Sequence, residues 1–529
     1  MPTYLSAASL SRAIDHLCKY GDTDVFPHLT EIVFLSEKKD SIIEELAALD
    51  LDTFGPAQAI EAITPKSRYG FRIVHQLLFL ETLLFTAAAI EIANDLERLK
   101  RPVNEELGPF AYRFAPGEAP SVFLDGHTYR DWLEWQAAEL HDGEYQYVIC
   151  TDIADFYQRI YLHRIENCLD TATANKGVKR FIEKLIKNVR SKQSHGLPVG
   201  GTASRLIAEC LLADSDNALA HEQVKFTRYV DDFRIFVKAD QSPYSILAFF
   251  ADQLAAGEGL ALNSQKTKVY SAAEFFTSLV DNKGDVFDDT EQDAIDALSH
   301  AVYFDEQVSE EDISRLRALN LLGMLEKELA QEVWDFGRIK TIFRALRLAP
   351  DPNSMNLLVE KFDLFLPFIK DLVLYLDSLK RVHGVDATGL REKIWSEINR
   401  GAAFSVPTIR VWLLELYVRG ILPFELMEAG RLTSQETLDN RQMYLIRGIK
   451  TDVNFFRRQK TRFDERNNFE KYAFMIGATC LPRDEFETWV SAVKPNMSRP
   501  LDRLFCDWVK AKSGHLETIL GTRFNLIKE

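Results

Sequence analysis

Apolar positions along this chain recur with two different periods. Between residues 77 and 99 they return every third or fourth position, which predicts helix, whereas Tyr147-Val148-Ile149-Cys150-Thr151 and Phe233-Arg234-Ile235-Phe236-Val237 are short β-branched and aromatic runs that predict strands. This mixed pattern ends near residue 280. The stretch Asp281 to Asp293, DNKGDVFDDTEQD, is acidic and turn-rich and predicts a linker. Beyond it only the helical period persists: Ile339, Ile342, Phe343 and Leu346, then Leu358, Phe362, Phe365 and Leu366, then Ile409, Trp412, Leu413 and Leu416. Prolines at 350, 352, 367, 407 and 423 punctuate these segments. Helices separated by short breaks predict an α-helical array of repeat type, with an irregular bundle as the alternative, since no strict period recurs. The expected division is a mixed α+β part over residues 1–280, a linker over 281–295 and a helical part over 296–529.

Composition adds limits. A chain of 529 residues with 46% hydrophobic and 27% charged positions is long enough for more than one globular domain. The net charge of -16 excludes a surface built throughout for nucleic acid, so any such contact must rest on local basic patches. The most apolar stretch, Leu77 to Ala93, carries Glu81 and Glu91 and is too short for a bilayer, so no membrane association is expected. Six scattered cysteines without a CxxC pair suggest neither a zinc site nor a disulfide framework. The first residues lack the pattern of a signal peptide, and a cytoplasmic protein is expected.

The candidate chemistry centres on Tyr229-Val230-Asp231-Asp232, an acidic pair where two β runs meet. Carboxylates crowded at a hairpin tip repel each other unless cations neutralise them. Two divalent ions at such a site can activate an attacking hydroxyl and stabilise a leaving pyrophosphate, and that chemistry needs a third carboxylate. Asp152, at the end of the Tyr147 to Thr151 run, supplies it.

The ordered set DIADFY (152–157), GLPVGG (196–201) and YVDD (229–232) resembles motifs A, B and C of reverse transcriptases. The resemblance implies an α+β fingers and palm, with an antiparallel palm sheet and helices, in which Asp152, Asp231 and Asp232 hold two Mg²⁺ ions, with Mn²⁺ as the alternative. It also implies a nucleotide-binding set. Tyr157 would lie beneath the sugar and exclude a 2′-hydroxyl, which implies DNA synthesis from dNTPs, with Asp155 and Gly200 beside it. In retroviral enzymes the position of Val199 is a glutamine that touches the nucleotide, so a polar contact is lost here. TPKSRYGFRIVHQLLFLE (64–81) is similar to the fingers segment, which makes Lys66 and Arg72 the triphosphate ligands. LNSQKTK (262–268) is similar to motif D, which makes Lys266 the general acid on pyrophosphate.

Two basic clusters are candidates for nucleic-acid contact. Lys176, Lys179, Arg180, Lys184, Lys187, Arg190 and Lys192 crowd one predicted helix against Glu183. Phe455-Phe456-Arg457-Arg458-Gln459-Lys460-Thr461-Arg462-Phe463 interleaves cations with aromatics, as single-strand binders do, although a snorkelling helix face reads the same way.

PKSRYGFR, Ala111-Tyr112-Arg113-Phe114, GLPVGG and the long helical second half together resemble the abortive-infection (Abi) reverse transcriptases of phage defence, of the prophage-encoded type. That family implies a HEAT-like helical-repeat domain in place of a thumb, protein-primed and template-independent synthesis of single-stranded DNA attached to a tyrosine, and a homo-oligomer. The alternatives are a template-dependent enzyme of retron or intron type, an RNA polymerase, and a retired polymerase scaffold that senses phage components.

Overall fold

The computed structural model describes residues 2–102, 108–189, 194–281, 310–400, 405–422 and 425–527. Most of the expected linker, Arg190 and Lys192 of the first basic cluster, and Pro423 lie outside the described residues. Two compact units are present, and they do not follow chain order: one comprises Met1–His16, Leu46–Ala59 and Leu80–Gly284, the other Leu17–Glu45, Ile60–Phe79 and Asp285–Glu529.

The first unit is built on a five-stranded sheet. With β1 (Ile60–Pro65) and β2 (Phe71–Gln76) assigned to the other unit, its strands are β3 (Gly108–Pro109), β4 (Tyr145–Asp152), β5 (Lys225–Tyr229), β6 (Asp232–Lys238) and β7 (Lys268–Ser271), in the order β3-β5-β6-β4-β7. The sheet expected to be antiparallel is mixed: the two-residue β3 runs parallel to β5, while the other neighbours are antiparallel. A strand that short leaves no alternation to read in the sequence. Alternating side chains cover both faces of the sheet. On one face Phe233 packs on Phe250 of the helix Pro243–Gln253, with ring centroids 4.7 Å apart. On the other, Val148 and Phe236 are fully buried with Phe275 of the helix Ala272–Asp281.

The second unit joins the antiparallel hairpin β1–β2 to the helices that follow residue 310. The helical period read from sequence is realised in Phe336–Leu348, Met355–Glu360, Phe362–Phe365 and Pro407–Val418. Early and late residues share one core. Trp412 Nε1 donates to the Val25 carbonyl at 2.8 Å, Thr408 Oγ1 to the Ile63 carbonyl at 3.0 Å, and Arg441 grips both oxygens of the fully buried Glu31 at 2.9 and 2.8 Å. The helices Thr437–Ile449 and Asn468–Gly477 approach backbone to backbone, because a Cβ at Gly477 would lie 2.3 Å from the Tyr444 carbonyl oxygen. No helix among the described residues is long and apolar enough to cross a membrane.

Candidate active site

Strand register brings the first two carboxylates together. Asp152, the last residue of β4, lies directly opposite Asp232, the first residue of β6. Tyr229 pairs with Asp232 across the hairpin, so Val230 and Asp231 form a two-residue turn at its tip. Val230 has φ +59, a left-handed conformation that a β-branched residue adopts only under constraint. Two hydrogen bonds supply that constraint. Arg228 Nη1 donates to the Val230 carbonyl at 3.0 Å, and the Ile153 amide donates to the Asp231 carbonyl at 3.1 Å.

Arg228 is wholly buried and uses all five of its N–H donors. Nε and Nη2 each reach Asp216 at 2.8 Å, Nη1 reaches Glu209 Oε2 at 2.7 Å, and Nη2 also reaches the Glu209 carbonyl at 3.0 Å. Both carboxylates are buried, on the helices Thr202–Leu211 and Ala213–His221. Burial opposes the charge on Arg228, but Asp216 and Glu209 hold its pKa well above the ordinary value. The hairpin that carries the acidic pair is thus fastened to the helices that follow the GLPVGG loop.

Charge at the tip is crowded. Burial, then Asp232, then Asp152 push Asp231 up to a pKa of about 7. Asp232 is also raised, chiefly by burial, with Arg234 acting against the shift. Lys266 Nζ donates to Asp152 Oδ2 at 2.5 Å. Burial alone would lower Lys266, yet this hydrogen bond and the neighbouring carboxylates raise it. Its loop is stitched to the end of β4: the Asn263 amide donates to the Asp152 carbonyl at 2.7 Å, and the Thr151 and Thr267 hydroxyls meet at 2.7 Å.

Among the described residues no three His, Cys, Asp or Glu side chains close into a ready-made metal cage. Mg²⁺ at polymerase-type sites takes one or two carboxylates and completes its shell with substrate phosphates and water. Asp152, Asp231 and Asp232 repel one another, Lys266 offsets part of that charge at Asp152, and the three fit such a partial donor set.

Tyr157 joins this group. Its ring is partly buried, and its hydroxyl is held well above the ordinary pKa by burial, with Tyr112, Arg205, Glu209 and Asp231 in electrostatic reach. The GLPVGG loop is tied to the same segment, the Leu197 amide donating to the Tyr157 carbonyl at 2.8 Å and the Gly196 amide to the Ile160 carbonyl at 2.6 Å. Gly196 (φ +100) and Gly200 (φ +97) turn the backbone as only glycine does readily, and the helix Thr202–Leu211 starts immediately after the loop. Asp155 is exposed, has φ +50, and faces Arg159 at 3.9 Å. Lys66 and Arg72 belong to the other unit, at the tip of the β1–β2 hairpin, which the Lys66 amide closes on the Gly70 carbonyl at 2.8 Å. Arg72 Nε is buried there without a hydrogen-bond partner.

The basic clusters look different in three dimensions. In the helix Lys176–Val189, Lys179 pairs with Asp170 and Glu183, Lys187 with Glu166 and Arg180 with Asp52, while Lys184 Nζ caps the Phe54 carbonyl at 2.5 Å. Among the described residues that pairing leaves little excess charge for a phosphate backbone. In the second cluster Phe456 and Phe463 are core residues, Arg457 and Lys460 share Glu485, and Phe455 is the one aromatic of the run left partly exposed.

Several residues at the site escaped sequence reading. Arg228 directly precedes YVDD, and the alternation of β5 puts it on the same face as the buried Phe226, a position that demands buried carboxylate partners. In sequence Tyr112 is marked only as part of the Ala111-Tyr112-Arg113-Phe114 run. It adopts φ +49, and the Arg205 guanidinium lies 5.1 Å over its ring.

Residues 92–302 match the family model described as reverse transcriptase (RNA-dependent DNA polymerase). The chain therefore carries a reverse transcriptase domain, and Asp152, Tyr157, Gly200, Asp231, Asp232 and Lys266 fall within the match, whereas Lys66 and Arg72 precede it. No curated protein matches the chain. Among solved structures it is similar to telomerase from Candida albicans in complex with a TWJ fragment of telomeric RNA, at 13% identity over 72% of this chain and 68% of that one, with a TM-score of 0.32. It is also similar to apo telomerase from Candida tropicalis, at 12% identity over 72% of this chain and 74% of that one, again with a TM-score of 0.32. A TM-score this low does not equate the folds.

Proposed function

We propose that the chain is a DNA polymerase of the reverse transcriptase class that acts in abortive-infection phage defence. The observation that carries the polymerase assignment is the register pair Asp152–Asp232 with Asp231 on the adjoining strained turn, inside a reverse transcriptase domain. In this reading Asp152, Asp231 and Asp232 would hold Mg²⁺ or Mn²⁺. Bound there, the ions would supply Lewis-acid activation of the attacking hydroxyl and neutralise charge on pyrophosphate.

The remaining roles fall to the chain's own groups. A hydroxyl gives up its proton to solvent as its oxygen attacks the α-phosphorus of a dNTP, the bond from that phosphorus to the bridging oxygen of the β-phosphate breaks, and pyrophosphate departs. Lys66 and Arg72 bind the triphosphate, and the ammonium of Lys266, held in its charged form, gives a proton to the leaving group. Tyr157 forms the floor under the sugar and leaves no room for a 2′-hydroxyl. Asp155 and the Gly200 backbone flank the nucleotide.

The defence assignment rests on the forms of the motifs, on Val199 in the GLPVGG loop, and on the helices after residue 310, read as a HEAT-like array in place of a thumb. Under it, residues 1–280 serve as fingers and palm, synthesis is primed by a tyrosine hydroxyl without a template, the product is single-stranded DNA, and the protein is a cytoplasmic homo-oligomer. Purified protein given Mg²⁺ and dNTPs, without nucleic acid, should form DNA. No product under those conditions, with product on an added primed RNA template, would favour the second reading, a template-dependent enzyme of retron or intron type. The family match to RNA-dependent DNA polymerases keeps that second reading in play.

A further inference from the structure

Beside the carboxylates the structure carries an aromatic surface that the reaction described above does not use. Register puts Tyr229 opposite Asp232, and the Tyr229 ring meets three others: Tyr129 at 5.2 Å, Trp132 at 5.7 Å and Tyr112 at 6.2 Å between centroids. Trp132 anchors the cluster. It is fully buried, and its Nε1 donates to Thr227 Oγ1 on β5 at 3.0 Å, which fixes the helix Tyr129–Asp142 over that strand. Tyr129, the first residue of the helix, keeps 36% of its surface exposed, and Tyr112 and Tyr229 are each partly exposed.

Cations bound the cluster. Arg205 lies 5.1 Å over Tyr112, and Arg234 lies 4.9 Å over Trp132. Aromatic rings interleaved with guanidinium groups suit unpaired nucleotides, whose bases stack on the rings while cations attract the phosphates. A base-paired helix is a poorer fit, because Trp132 and Trp135 roof the β5–β6 part of the sheet on the face that carries Asp232.

We propose that Tyr129, Tyr112 and Tyr229 form a stacking wall for the unpaired 3′-terminal nucleotides of a single DNA strand, which reaches the carboxylates along the helix Tyr129–Asp142 rather than as a duplex laid across the sheet. The inference rests on the polymerase reading of the site and adds its nucleic-acid partner. Tyr129 sets how tightly that end is held.

The test is fluorescence anisotropy of the full chain with a fluorescein-labelled oligothymidylate in EDTA, where no turnover occurs. Tyr129→Ala should weaken binding about tenfold, Tyr129→Leu should do the same, and Tyr129→Phe should bind like the parent. A fully base-paired duplex should compete poorly. The helix should persist in these variants, because its capping box uses Thr128 and Asp131 and not the tyrosine ring. The proposal is overturned if the parent protein does not bind the oligonucleotide, if Tyr129→Ala binds as tightly as the parent, or if duplex competes as well as single strand. Failure of the polymerase reading shows elsewhere, as absent nucleotide incorporation with Mg²⁺, and leaves this binding measurement unaffected.

Discussion

Arg228 Nη1 donates to the carbonyl oxygen of Val230 at 3.0 Å, and that bond ties a buried ion cluster to the strained turn that precedes the Asp231 side chain. Buried ion pairs contribute little net stability against well-packed apolar groups, so their value lies in fixing geometry. Here the geometry fixed is the position of a carboxylate.

Arg228→Met should therefore lower stability by about 3–5 kcal/mol, since it strands two buried carboxylates. Arg228→Lys, with three donors instead of five, should remain folded, lose most of its kcat, and need more Mg²⁺ for half-maximal activity. Thermal melting together with Mg²⁺ titration of the activity checks this. A Lys variant with an unchanged Mg²⁺ requirement would mean that Arg228 only stabilises the fold.

Asp231 gives the metal-free protein a pH dependence. Its folded pKa of about 7 lies above the ordinary 3.8, so between those values the folded state holds a proton that the unfolded chain has released. The stabilisation is complete below about pH 4 and is lost as pH rises toward 7. Melting temperatures in EDTA should fall across that window, Asp231→Asn should flatten the slope, and Mg²⁺ should stabilise the parent protein most at the alkaline end. An equal Mg²⁺ effect on parent and Asp231→Asn would remove Asp231 from the metal site.

Tyr157→Ala should open the floor of the sugar pocket and raise incorporation of ribonucleotides relative to deoxyribonucleotides. Single-turnover incorporation of ATP against dATP checks it. An unchanged ratio assigns the discrimination to another residue.

The crossing of the helices Thr437–Ile449 and Asn468–Gly477 leaves no space for a side chain at Gly477. Gly477→Ala should cost about 1–3 kcal/mol through overpacking, visible as a lowered midpoint in urea. Gly430→Ala, where nothing lies within 4 Å of the added carbon, should be tolerated.

The acidic pair was legible because its signal is local: two β runs meeting at Asp231 and Asp232, and a third ending at Asp152. The helix Lys176–Val189 was legible for the same reason, but its charge balance was not. Arg180 is neutralised by Asp52, 128 positions away. The membership of residues 17–45 in the helical unit was hidden more deeply still, because pairs such as Arg441 and Glu31 are 410 positions apart, and no periodicity encodes a contact of that range. Periodicity reports which face of an element is buried, whereas the identity of its partner is set by packing across the whole chain.

Mg²⁺ and α-phosphate-labelled dNTPs, with no added nucleic acid, followed by denaturing electrophoresis of the protein band, test the central claim most directly. Label should appear covalently on the parent chain, be removed by DNase, and be absent from the Asp231→Ala, Asp232→Ala double variant. An unlabelled parent chain, or equal labelling of both proteins, would contradict the account.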